Sequence, residues 1–76
     1  MNLWDKTYLL ARYRELLKRE DREFIAQTID GLQGTGKLND QEIEEYLEPW
    51  KIKKIKRIYE SSESKITEAI YSAEKD

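Results

Sequence analysis

An all-α fold, a small bundle of three to four helices with a long C-terminal helix, is what the sequence predicts. Apolar residues recur at three- and four-residue steps along the chain, the period of one helical face. Valine is absent, and no alternating apolar–polar run is long enough for a strand. The 76 residues suffice for one domain, taken as 1–76, and are too few for two. A chain of this size buries only about 60% of the surface its unfolded form exposes, so the core is thin. Charged residues make up 39% of it, against a usual share of about 25%, yet eight Leu, eight Ile and eight aromatics set it apart from disordered compositions. A thin core beside heavy charge predicts a partner or self-association, since either buries more apolar area.

The first helix is predicted over residues 5–19, with Leu9, Leu10, Tyr13, Leu16 and Leu17 on one face and Asp5 placed to cap its first turn. A second segment, 21–30, turns Phe24, Ile25 and Ile29 inward. Glu20 and Asp21 mark a break with a new cap between the two; the alternative is a helix running straight through. Together they make a helical hairpin over about 5–30. Gly31 is expected to end the second segment, because helices often stop at a residue able to take positive φ.

The next start is the best specified point in the chain. Asn39 can accept from backbone N–H groups as a cap, Glu42 can reach back three residues to complete a capping box, and Leu38 and Ile43 are spaced for a hydrophobic staple. A short acidic helix over 39–48 should carry Ile43, Tyr46 and Leu47 inward and stop before Pro49. The last helix, 50–74, carries an alternating three–four seam of Ile52, Ile55, Tyr59, Ser62, Ile66, Ala69 and Ala73. ESSES at 60–64 is weak helix material and allows a kink or break there. The seam predicts packing against a neighbour, in the same chain or in a second copy.

Residues 31–38, GLQGTGKL, hold Gly31, Gly36 and Lys37 at the G-x-x-x-x-G-K spacing of a phosphate-binding loop. That loop follows a strand and continues with Ser or Thr for magnesium. Here a helical segment precedes it and Leu38 follows Lys37, so nucleotide binding is not expected. The longer stretch 31–43, GLQGTGKLNDQEI, resembles the later part of an EF-hand calcium loop and its exiting helix, with Gly36 at the tight turn, Leu38 at the apolar position and Glu42 as the final carboxylate. The resemblance implies ligands at positions occupied by Gly31, Gln33 and Thr35, where carboxylates or Asn are required, so no metal site is predicted. The glycines read as a turn between helices.

Cysteine and histidine are both absent, which removes disulfides, the usual zinc ligands and the commonest general base. No nucleophile has a base at a recognisable spacing, so no catalysis and no cofactor are expected. The start of the chain lacks the basic and apolar runs of a signal peptide, and no apolar stretch approaches the ~20 residues that cross a bilayer. An intracellular, cytoplasmic location is the expectation.

Charge is organised in blocks. Residues 39–49 carry five acids and no base, and residues 50–59 carry five bases and no acid. The basic block, Lys51, Lys53, Lys54, Lys56 and Arg57 with Trp50 at its edge, is the main candidate for partner or nucleic-acid binding. Five cations near a helix start oppose the helix dipole and repel one another, a broken local rule that points to function. A quieter expectation is that the acidic helix folds back so that Glu44, Glu45 and Glu48 neutralise the block. The acidic helix could equally receive a basic partner. The preferred function is a non-catalytic interaction or regulatory module acting by protein–protein binding and self-associating through the seam of Ile52, Ile55, Tyr59, Ile66 and Ala69. The alternative is nucleic-acid binding, with the basic block on phosphates and the 40–48 helix, the Pro49 corner and the last helix acting as a helix-turn-helix-like unit. A pI near 5.2 counts against that alternative.

Overall fold

The computed structural model describes residues 2–36 and 38–75. Among them are four α-helices, one 3-10 turn and no strand, so the structure is the small all-α bundle the periodicity predicts. The helices are α1 (Leu3–Arg12), α2 (Arg19–Gln33), α3 (Asp40–Tyr46) and α4 (Pro49–Lys75), with the 3-10 turn Arg14–Leu16 between α1 and α2. At ~1.5 Å per residue α4 is about 40 Å long, and it sets the 38 Å long dimension of the molecule. The helix α1 lies centrally and packs on α2, α3 and α4. Among the described residues no helix is long and apolar enough to cross a membrane.

Capping moves α1 two residues earlier than its periodicity implies. The Asn2 side chain accepts from the Asp5 amide at 2.8 Å, so Asn2 is the cap and Asp5 sits in the first turn, where its charge still suits the dipole. Leu3 is consequently buried. Its amide donates to the Asp40 carboxylate at 2.8 Å, which ties the starts of α1 and α3 together. The single helix expected over 5–19 does not form, and the break falls at residues 13–18 rather than at Glu20–Asp21. Tyr13 to Lys18 are acceptable helix formers, so tertiary packing overrides propensity here. The 3-10 turn tightens the chain through Leu16 N–H to Tyr13 carbonyl and Leu17 N–H to Arg14 carbonyl bonds. Leu17 then takes an extended backbone and is buried, while Leu16, expected inward, points to solvent. Glu20 and Asp21 occupy the first turn of α2, where they favour the dipole instead of capping it.

Gly31 does not end α2, which continues to Gln33. An interior glycine costs ~1 kcal/mol relative to alanine, and the continuation buries Leu32 completely. A fully buried leucine outweighs that cost. The turn is made by Gly36, at φ +84°. With Gly31 and Gln33 inside a helix, neither a phosphate loop nor a calcium loop is formed by 31–36; Lys37 lies outside the described residues.

The start of α3 is as expected. Asn39 accepts from the Glu42 amide at 2.9 Å, the Glu42 carboxylate accepts from the Asn39 amide at 3.1 Å, and Leu38 and Ile43 both join the core. Tyr46, expected inward, is half exposed, its hydroxyl donating to the Gly31 carbonyl at 3.4 Å. Pro49 opens α4, at the position where its missing N–H costs nothing.

The helix α4 passes through ESSES without a break. Ser61 donates to the Arg57 carbonyl at 2.7 Å, so its hydroxyl is satisfied inside the helix. The flanking Ile58 and Ile66 are buried, as is Ser62 at the polar step of the seam. Ile52, Ile55, Tyr59 and Ile66 are covered by the chain's own helices, Ala69 is half-buried and Ala73 is exposed. The neighbour of the seam is therefore in the same chain. The cover on these four side chains is supplied within the one chain.

Candidate binding surface

The apolar seam decides where the basic block points. With Ile52, Ile55 and Ile58 turned inward, the helical period leaves Lys53, Lys56 and Arg57 exposed and Lys51 and Lys54 at the flanks, half-buried. Trp50 stands at the N-terminal edge with 54% of its surface exposed. Trp50, Lys53, Lys54 and Arg57, one stripe at three- and four-residue steps, line a shallow hollow on this face.

The stripe rests on aromatic rings. The Lys54 ammonium lies 4.7 Å from the centre of the Phe24 ring and the Lys51 ammonium 5.6 Å from that of Trp50, both in cation–π range. The Phe24 and Trp50 rings are 6.0 Å apart and tilted at 42°. The Trp50 indole N–H donates to the Glu48 carboxylate at 2.7 Å. Phe24 therefore does more than fill the core edge: its face supports a lysine of the stripe. Sequence spacing alone does not bring residues 24 and 54 together.

Neutralisation by α3 does not occur. The helix α3 packs chiefly on α1, and among the described residues the one ion pair is Arg19–Glu23, within α2. Glu44 and Glu45 face solvent, and Glu48 is taken by the Trp50 indole. The five cations keep the opposition to the helix dipole inferred from sequence, with no ion pair to a carboxylate among the described residues.

The outer face of α4 changes sign beyond Arg57. Glu60, Glu63, Ser64, Thr67, Glu68 and Tyr71 line a second shallow hollow on this face. Tyr71 is 61% exposed. In the sequence this half shows as a mild acidic excess over residues 60–76, and the same three–four step read on the side opposite the apolar seam places Glu60, Ser64, Thr67 and Tyr71 together.

Among the described residues no group of three or more carboxylates could hold a metal ion, and Glu42, the last ligand of the calcium-loop resemblance, is engaged in the α3 cap. Burial pushes the Tyr59 phenol above its ordinary value near 10, with the Glu63 charge adding to the effect. Compared with protein-family models, with curated proteins and with solved structures, the chain matches none.

Proposed function

We propose that the chain is a non-catalytic interaction module whose working surface is the stripe Trp50, Lys53, Lys54, Lys56 and Arg57, and that it engages an acidic surface on a protein. The observation that carries the reading is a run of cations at a helix start, without an ion pair, beside a half-exposed tryptophan. Cations there raise the energy of the free chain, and an acidic partner relieves both the dipole conflict and the mutual repulsion. The stripe is short. From Lys51 to Arg57 the helix rises about 9 Å, and carboxylates bound it at both ends, Glu48 before it and Glu60 and Glu63 after it. A compact acidic patch fits between those limits, whereas a long polyanion would meet like charge on either side.

Nucleic acid is the second reading, favoured by one observation: the Trp50 ring is exposed beside the cations, as a stacking platform for a base would be. Titrating Trp50 fluorescence in a Trp4→Phe background separates the two. The probes are an oligoglutamate peptide and a mixed-sequence oligonucleotide, each at low and moderate salt. Saturable binding of the peptide that is lost in Lys53→Glu, Lys56→Glu is the expected result. Saturable binding of the oligonucleotide alone, lost in the same variant, puts the second reading first. No response to either probe at low salt removes the stripe as a binding surface.

A further inference from the structure

We infer that the partner of this stripe is an acidic peptide segment carrying one large apolar side chain, which seats in a hollow between Phe24, Tyr46 and Trp50. The inference rests on the reading of the basic stripe as the working surface and adds the anchor that the stripe lacks.

The helix α2 packs chiefly on α1, and a hollow of about 210 Å³ lies between α2 and the corner where α3 gives way to α4. Phe24 and Gly31 line it from α2, Tyr46 and Leu47 from the end of α3, and Trp50 and Lys51 from the start of α4. Three rings from three helices thus converge on one spot. Trp50 packs on Phe24 to form one wall, and Tyr46 and Trp50 are each half exposed. Apolar cavities of about 150 Å³ take up benzene, so the hollow has room for one phenyl or branched aliphatic side chain.

Gly31 is the second observation. It lies inside α2 without a positive φ, and the atom nearest to a Cβ added there is the Tyr46 hydroxyl oxygen at 3.9 Å, an ordinary contact. Neither the backbone nor the packing asks for glycine, and helix propensity favours alanine. A local rule broken with no gain to the fold points to function. Here the missing side chain leaves one wall of the hollow bare.

The polar groups of the lining select the occupant. The Tyr46 hydroxyl donates to the Gly31 carbonyl, the Thr28 hydroxyl to the Phe24 carbonyl, and the Trp50 indole N–H to the Glu48 carboxylate. With these groups engaged inside the chain, a nucleobase would enter with much of its polar edge unpaired, whereas an apolar side chain needs no partner. Charge then selects what flanks the anchor. Lys51 and Lys54 stand over the Trp50 and Phe24 rings, and Lys53 and Arg57 continue along α4. Glu48 stands on the α3 side, so the acidic flank of the peptide runs along α4 and away from α3. Lys54 is one turn beyond Trp50, a rise of about 6 Å, which an extended peptide covers in about two residues. The charges steer and orient the segment, and the buried anchor supplies affinity.

The probes are oligoglutamate peptides with a single Phe near one end or the other, and the same peptides with Ala in its place. Each is titrated against Trp50 fluorescence in the Trp4→Phe background. At least one Phe peptide should bind about tenfold tighter than its Ala counterpart, the gain from burying one such side chain, and should shift the Trp50 emission to the blue. The ratio should persist at moderate salt, where both affinities fall, because burial of apolar surface is not screened. Gly31→Leu fills the hollow and changes no charge. Circular dichroism should show it folded, and it should bind the Phe and Ala peptides equally. Lys53→Glu, Lys56→Glu should weaken both. Equal binding of the two peptides by the wild type overturns the anchor and leaves the stripe standing, whether or not Gly31→Leu folds. A Phe advantage that survives in folded Gly31→Leu overturns the hollow as its seat. Binding of a mixed-sequence oligonucleotide that Gly31→Leu abolishes overturns the peptide and gives the hollow to a base. No response to any peptide at low salt removes stripe and anchor together.

Discussion

On the inner face of α4, Ile52, Ile55, Ile58, Tyr59 and Ile66 are at least nine-tenths covered, whereas on the outer face Trp50 and Tyr71 are more than half exposed among charged side chains. Both faces follow the same three–four step on the same unbroken helix. Spacing alone therefore does not say which side packs. The apolar content of a stripe decides that, because only the inner one gains free energy by leaving water. The residues that hold α4 in place and the residues left to meet a partner are thereby separate sets, and substitutions should divide accordingly.

The largest expected effect is on the inner face. Ile55 is fully buried, and Ile55→Ala should cost about 2–5 kcal/mol in a denaturant titration followed by circular dichroism. That is a large share of the total in a domain of this size. Ile55→Asp should abolish the cooperative transition, since it buries an unpaired charge. A cooperative transition surviving Ile55→Asp would break the division between the faces.

Next in size is the capping box that places the turn into α4. Asn39→Ala removes the acceptor for the Glu42 amide and should cost about 1 kcal/mol. Oligoglutamate binding at the α4 stripe should be unchanged as long as the chain remains folded.

Tyr59 sharpens the comparison through pH. Its folded pKa lies above 10, first because of burial and then because of Glu63. Near and above pH 10 the unfolded chain therefore loses the phenol proton before the folded chain does. Stability contributed by the neutral, buried ring is complete below that range and falls as pH rises through it. Tyr59→Phe should flatten this alkaline decline relative to wild type in urea titrations between pH 8 and 11. An unchanged slope would show that Tyr59 does not set the decline.

The smallest expected change in stability is on the outer face. Lys53→Glu, Lys56→Glu should leave stability within about 0.5 kcal/mol, in keeping with exposed positions. The same variant should lose oligoglutamate binding. A large loss of stability would mean that the outer face also supports the fold.

Local chemistry made the α3 start legible from the sequence: Asn39, Glu42, Leu38 and Ile43 lie within five residues of one another, and each acts on its near neighbours. Pro49 was legible for the same reason, since a missing N–H acts at one position. The first hairpin was less so. The break at residues 13–18 has no glycine, proline or side-chain cap to announce it. It exists because Leu17 must be buried while the chain reverses onto α1. Gly31 misled in the other direction, since the burial of Leu32 outweighs the helical cost of one glycine. Of the binding surface, the basic run and Trp50 were visible in the sequence. Phe24 beneath Lys54 was not, because their meeting depends on how α2 lies against α4.

The sequence by itself determined the helical class, the capped start of α3, the proline opening of α4 and the segregation of its cations from its carboxylates. Those features follow from side-chain period and from interactions a few residues long. Only the tertiary structure decided that the apolar seam closes on the chain's own helices, that α3 makes no ion pair with the basic stripe among the described residues, and that Lys53, Arg57, Glu60 and Ser64 on the outer side of α4 stay exposed. Those outcomes depend on which apolar stripes meet across long sequence separations, as the 37-residue span from Leu3 to Asp40 illustrates. Burial energy summed over the whole bundle selects that meeting, and no local signal contains the sum.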